Sequence, residues 1–170
     1  MILKSKVFLS EWRDSLEIGV NQIDSEHKRL FALVKNLDID HLEKTASELR
    51  DYVVHHFSNE QELMKSLNYP ILAAHLDLHE DFKKRVDVLL ASNKPWTEER
   101  VLELRKFLNE WLIGHIGLHD KRFGDWRRTI QRLMTDSDTP ETKSGPHRSI
   151  YDVTWMKIRT TIVRLIGRPD

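Results

Sequence analysis

Five histidines fall where a helical period puts core side chains, and this pattern restricts the fold more than any other feature of the chain. Apolar residues recur at i, i+3, i+4 and i+7 nearly throughout. Ile23, His27, Leu30, Phe31 and Val34 form one stripe. Leu42, Ala46, Leu49, Val53, His56, Glu60, Leu63 and Leu67 form a second. His75, Leu78, His79, Phe82, Val86 and Leu89 form a third. Val101, Leu104, Leu108, Leu112 and His115 form a fourth. The spacing predicts helices over about 22–37, 41–67, 71–91 and 97–134. Asn21, with Asp24 three residues on, is the expected N-cap of the first helix, and Thr97 that of the fourth. The stretches "NYP" (68–70) and "SNKPW" (92–96) break the pattern between helices.

Four amphipathic helices with short connections predict an all-α fold, an antiparallel up-down-up-down four-helix bundle. Residues 1–20 lack the period and read as an extended N-terminal arm. The bundle with its arm is expected over 1–134, a polar linker over 135–149 and a C-terminal amphipathic helix over 150–170. In that last segment Trp155, Ile158, Ile162, Leu165 and Ile166 share one stripe, with Lys157, Arg164 and Arg168 opposite. The stripe is expected to pack on protein, either its own bundle or a second chain, with a membrane surface as the alternative.

Composition removes other classes of chemistry. The chain has no cysteine, which excludes disulfides, thiolate metal sites and cysteine nucleophiles. Basic and acidic side chains balance at 27 each, so charge gives no reason to expect a nucleic-acid partner. No apolar run reaches the ~20 residues of a membrane span, and no secretory pattern opens the chain. A cytoplasmic protein is the expectation.

A single histidine on an apolar stripe is ordinarily a core residue with one satisfied hydrogen bond. Five together with Glu60 are another matter. Burying them unpaired would cost several kcal/mol per group, more than a domain stable by roughly 5–15 kcal/mol can carry. A metal centre removes the difficulty. His56 and Glu60 are four apart, as are His75 and His79, so each pair lies on one helical face. Imidazole with carboxylate suits iron, zinc, copper or nickel. The donors are too many for one tetrahedral zinc and suit two metals sharing carboxylates.

The stretch "GHIGLHD" (114–120) leaves a choice open. On a regular helix His119 lies about 40° from His115 and Asp120 about 140° away, which favours His119. Charge favours Asp120, since five neutral imidazoles and one carboxylate need another anion. Asp120 also heads an apolar row with Ile116, Phe123, Ile130 and Met134. Spacing alone does not decide.

Over about residues 8–126 the chain resembles the hemerythrin family, in particular its bacterial members. The pattern W-x5-I-x-V-x2-ID-x2-H stands as Trp12, Ile18, Val20, Ile23, Asp24 and His27. HF-x2-E is His56, Phe57 and Glu60. YP-x4-H-x3-H is Tyr69, Pro70, His75 and His79, and W-x3-HI-x3-D is Trp111, His115, Ile116 and Asp120. The resemblance implies a non-haem centre of two iron ions with an oxo or hydroxo bridge. One iron would take His75, His79 and His115, the other His27 and His56, with Glu60 and Asp120 bridging. His119 becomes a spectator or a group behind the ligands. Five histidines, two bridging carboxylates and the oxo bridge leave one of about twelve coordination positions open, on the iron with two histidines. Dioxygen is the ligand expected there, in a pocket kept dry by Phe31, Trp111, Leu112 and Ile116.

The implied function is reversible dioxygen binding, for storage, delivery or supply, rather than enzymatic turnover. The alternatives are a di-iron enzyme, such as an oxidase, peroxidase or nitric oxide reductase, and an oxygen or redox sensor module. His41, His55 and His147 fall outside the pattern and are expected in solvent, with a place behind the ligands as the alternative for His55; Met64 is expected in the core.

Overall fold

The structure is a computed structural model that describes residues 11–91 and 95–137. The linker beyond 137, the C-terminal segment, His147 and the first ten residues lie outside the described residues. Helix α1 spans Asn21–Lys35, α2 Leu42–Ser66, α3 Leu72–Leu90 and α4 Glu98–Gly114. A π-helical turn, His115–Asp120, follows α4 directly and leads into α5, Lys121–Ser137. There is no strand among the described residues. Each expected helix is present with ends displaced by one to three residues, and the expected fourth helix is the α4–π–α5 run.

The described residues divide into two units between Phe123 and Gly124. The first is the four-helix bundle: α1 packs on α2 and α4, and α2 on α3. Its apolar core joins Leu30, Phe31 and Val34 of α1 to Leu49, Val53 and Phe57 of α2, Phe82 of α3, and Val101, Leu104, Leu108 and Leu112 of α4. Residues 11–20 carry one short 3-10 turn, Asp14–Leu16, and no other regular element. In the second unit, residues 124–137 continue α5 as a polar stretch in which Thr129 Oγ1 donates to the carbonyl of Asp125 at 3.0 Å.

Two helix ends matter for what the bundle holds. The start of α1 differs from expectation. Val20, not Asn21, occupies the cap position and no side chain caps it. Instead Asp24, in the first turn, reaches back and accepts from the N–H groups of Ile18, Gly19 and Val20 at 2.8, 3.1 and 3.1 Å. Gly19, at φ 82°, supplies the left-handed backbone that this bend requires. The arm is thereby tied to the helix that carries His27.

Helix α2 ends in a Schellman motif. Tyr69 N–H donates to the carbonyl of Met64 at 2.9 Å and Asn68 N–H to that of Lys65 at 3.0 Å. Asn68 stands in the left-handed region at φ 53°. Pro70 follows, so the helix cannot continue and the chain reverses into α3. The inward face of α2 also drifts from the expected seam. Phe57 and Met64 are buried, Leu63 is half-buried and Leu67 is exposed.

The αL position at Asn68 gives a direct test. Asn68→Gly should leave stability unchanged or slightly raised, while Asn68→Val should lower it by about 1–2 kcal/mol through its β-branched side chain. Denaturant midpoints of the two variants check this.

Candidate metal centre

Helices α1, α2, α3 and the π turn each send polar side chains into the middle of the bundle. His27 comes from α1, His56 and Glu60 from α2, His75 and His79 from α3, and His115 and Asp120 from the π turn. All seven are buried; His27, Glu60 and Asp120 are 0% exposed.

The rings turn Nε2 toward two central carboxylates. Glu60 Oε2 lies 3.3 Å from His75 Nε2, 3.4 Å from His79 Nε2 and 3.9 Å from His56 Nε2. Its other oxygen lies 3.9 Å from His27 Nε2. Asp120 Oδ2 is 3.3 Å from His27 Nε2, and Oδ1 is 3.2 Å from His115 Nε2 and 3.6 Å from His75 Nε2. Two metal-sized clusters result. Glu60, His75, His79 and His115 form one, and His27, His56 and Glu60 the other, each with donor atoms within 4.8 Å of one another. Glu60 is common to both, and Asp120 touches a histidine of each.

The π turn decides the choice that spacing left open. In a π turn each N–H reaches back five residues, not four, so residues five apart stand above one another. His115 and Asp120 are five apart and both face inward. His119 is half-buried, its ring 5.4 Å from that of His115, and it belongs to neither cluster. A helix of uniform 3.6 period would have reversed this outcome.

The donor set fits a cation. Two ligands at right angles round one ion, each about 2.1 Å from it, stand about 3 Å apart. His79 Nε2 and His115 Nε2 are 2.9 Å apart. Both Asp120 oxygens, Glu60 Oε1 and His27 Nε2 are buried without a hydrogen-bond partner. Such atoms are costly unless something positive sits among them.

Burial opposes ionisation of Asp120, yet His115 and His27 beside it hold its carboxyl well below the usual range. Burial lowers the His79 imidazole, and the neighbouring His115 and His75 push it further down, which keeps it a neutral donor. Burial also works to lower His27 and His75, but Asp120 and Glu60 respectively outweigh it and raise them.

The rings are held from behind. Phe57 stacks on His79 at 3.6 Å with planes 5° apart, and Trp111 stacks on His115 at 4.3 Å and 12°. Trp12 of the arm sits 6.2 Å from His27 and 6.0 Å from Phe31, ring to ring. Phe31, Leu112 and Ile116 are buried and Trp111 is half-buried. His41 and His55 are exposed, and Met64 is fully buried.

One functional residue went unforeseen in the sequence. Glu26 is buried, and its Oε2 accepts from His56 Nδ1 at 2.9 Å. Its Oε1 accepts from Asn59 Nδ2 at 2.6 Å and Gln22 Nε2 at 3.1 Å. Burial would raise this carboxyl, but the bonds from His56, Gln22 and Asn59 prevail and lower it. A carboxylate on Nδ1 fixes the tautomer, so that Nε2 of His56 presents its lone pair to the centre. Glu26 stands about 100° from His27 on α1, on a flank that is buried only because α2 covers it.

Comparison with known proteins agrees with this geometry. Residues 18–126 match the family described as the hemerythrin HHE cation binding domain. The chain belongs to the hemerythrin HHE family. It is 35% identical over 121 residues to a bacteriohemerythrin of Stenotrophomonas maltophilia, covering 67% of this chain and 78% of that one. It is 35% identical over 107 residues to a myohemerythrin of Theromyzon tessulatum, covering 62% and 83%. A bacteriohemerythrin of Pseudomonas aeruginosa is 31% identical over 133 residues, covering 74% and 86%. The all-helical bundle agrees with the hemerythrin fold, and the buried His/Glu clusters fit the family's description as a cation binding domain.

Two substitutions separate the roles. His115→Ala should lose bound metal, whereas His119→Ala should retain the full complement, as read by elemental analysis. Glu26→Ala should keep the fold but weaken metal affinity by about 10–100-fold in chelator competition.

Proposed function

We propose that the centre holds two iron ions and binds dioxygen reversibly, for storage, delivery or local supply in the cytoplasm. His75, His79 and His115 would hold one ion, His27 and His56 the other, and Glu60 and Asp120 both. The observation that carries this reading is the uneven donor set, three imidazoles on one side of two shared carboxylates and two on the other. With two ions in place, that imbalance would leave room for an exogenous ligand on the side of His27 and His56. Relatives named bacteriohemerythrin and myohemerythrin support the same reading.

When bound, a pair of ferrous ions supplies the electrons that reversible dioxygen binding draws on. The chain's own residues do the rest. Glu26 orients His56. Phe57 and Trp111 hold His79 and His115 in fixed planes, so the donors are set before metal arrives. Trp12 and Phe31 cover His27, and Leu112 and Ile116 add apolar wall, which keeps water from the buried donors. Five imidazoles against two carboxylates also favour a carrier over an oxidising enzyme. Ferritin-like di-iron proteins use Glu-x-x-His pairs and more carboxylates, and none of the nine histidines here has a glutamate three residues before it.

The test is optical. The reduced, iron-loaded protein should gain a visible absorption band in air and lose it under argon without added reductant, over repeated cycles. A band that returns to baseline only with reductant, or rapid consumption of peroxide or nitric oxide, would instead indicate an enzyme.

A further inference from the structure

We propose that the bundle contains a second ligand site, an apolar cavity between α2, α3 and α4 that takes a small uncharged apolar molecule of about the size of benzene. The cavity has a volume of about 120 Å³. Its inner wall is Leu49, Val53, Phe82, Leu104 and Leu108, with Ala46 on α2 nearer the surface. Native cores carry few voids larger than a water molecule. The inner wall offers water no polar partner, and apolar cavities of this order, roughly 150 Å³, accept benzene or xenon.

The mouth sets the class of guest. Three charged side chains border the cavity, Arg50, Lys83 and Asp87. Arg50 pairs with Asp87 at 2.9 Å, joining α2 to α3. Lys83 pairs with Glu80 on its own helix. Each cation is already matched by a carboxylate, so nothing at the entrance favours an anionic head group. An uncharged guest can pass without stripping either pair. Val54, also on the lining, is 54% exposed and marks where the cavity opens.

The site is separate from the metal centre but shares a wall with it. Phe82 lines the cavity and stacks on Trp111 at 3.9 Å, and Trp111 in turn stacks on His115. Phe82 also meets Phe57 edge-on at 5.9 Å, and Phe57 stacks on His79. One aromatic layer therefore divides the cavity from the imidazoles. A guest that fills the cavity restrains the rings that hold His79 and His115.

The experiment uses the full, iron-loaded chain with benzene as probe and benzoate as its charged control. Benzene at about four times its dissociation constant should raise the melting temperature by roughly 2–4 °C, and benzoate should leave it unchanged. Ala46→Phe puts a ring into the cavity at a position that is not a proposed metal ligand, about ten residues before His56 on α2, and should abolish the rise. Should that variant fail to fold, Ala46→Leu fills the cavity in part and should weaken benzene binding several-fold. Xenon should give a saturable 129Xe chemical-shift change with the wild type that benzene displaces. No rise with benzene, an equal rise in the filled variant, or an equal response to benzoate would each overturn the proposal.

Discussion

Glu60 and Asp120 are fully buried in the middle of a helical bundle, and two carboxylates in that position require positive charge beside them. The arrangement of the surrounding elements follows from that requirement. Five imidazoles from α1, α2, α3 and the π turn aim Nε2 at four carboxylate oxygens, with approaches of 3.2–3.9 Å. Several of those atoms have no hydrogen-bond partner of their own. Removing any one helix from register would leave a buried charge without its neighbours. The polar centre thereby specifies the bundle's alignment more sharply than its apolar layers, where substitutions of similar volume are tolerated.

Irregular backbone serves the same end at three places. The Asp24 carboxylate gathers three N–H groups and fixes the arm that lays Trp12 over His27 and Phe31. The Schellman turn at Asn68 and Pro70 reverses the chain so that the pair on α3 meets the pair on α2. The π turn brings His115 and Asp120 onto one side. Departures from ideal helix geometry gather at functional sites, because regular spacing cannot put every required side chain where it is needed.

What could be read from the sequence follows the same division. The four helices, their breaks and the cap at Thr97 were legible, because an apolar period of 3.6 is strong over fifteen or more residues. His27, His56, Glu60, His75, His79 and His115 were legible because each stands on that period. Asp120 was legible only in part, since its inward position needs a π turn: single-helix geometry pointed to His119, charge and the apolar row with Ile116 and Phe123 to Asp120, and the family motif favoured Asp120. Glu26 stayed hidden because its burial comes from a neighbouring helix. Asn21 looked like a cap because its residue type suits one, but the Asp24 carboxylate satisfies the backbone from inside the helix. On α2, Met64 is buried as expected, Phe57 joins the inner face beside His56, and Leu67, at the helix end, is exposed.

The central claim is that these particular side chains converge on two ions. Diffraction from crystals of the iron-loaded protein at the iron absorption edge tests it most directly. The account predicts two anomalous peaks. One should have Nε2 of His75, His79 and His115 at about 2.1 Å and the other Nε2 of His27 and His56, with an oxygen of Glu60 and of Asp120 on each. A single peak, a peak bonded to His119 instead of His115, or an Asp120 carboxylate bound to neither ion would contradict it.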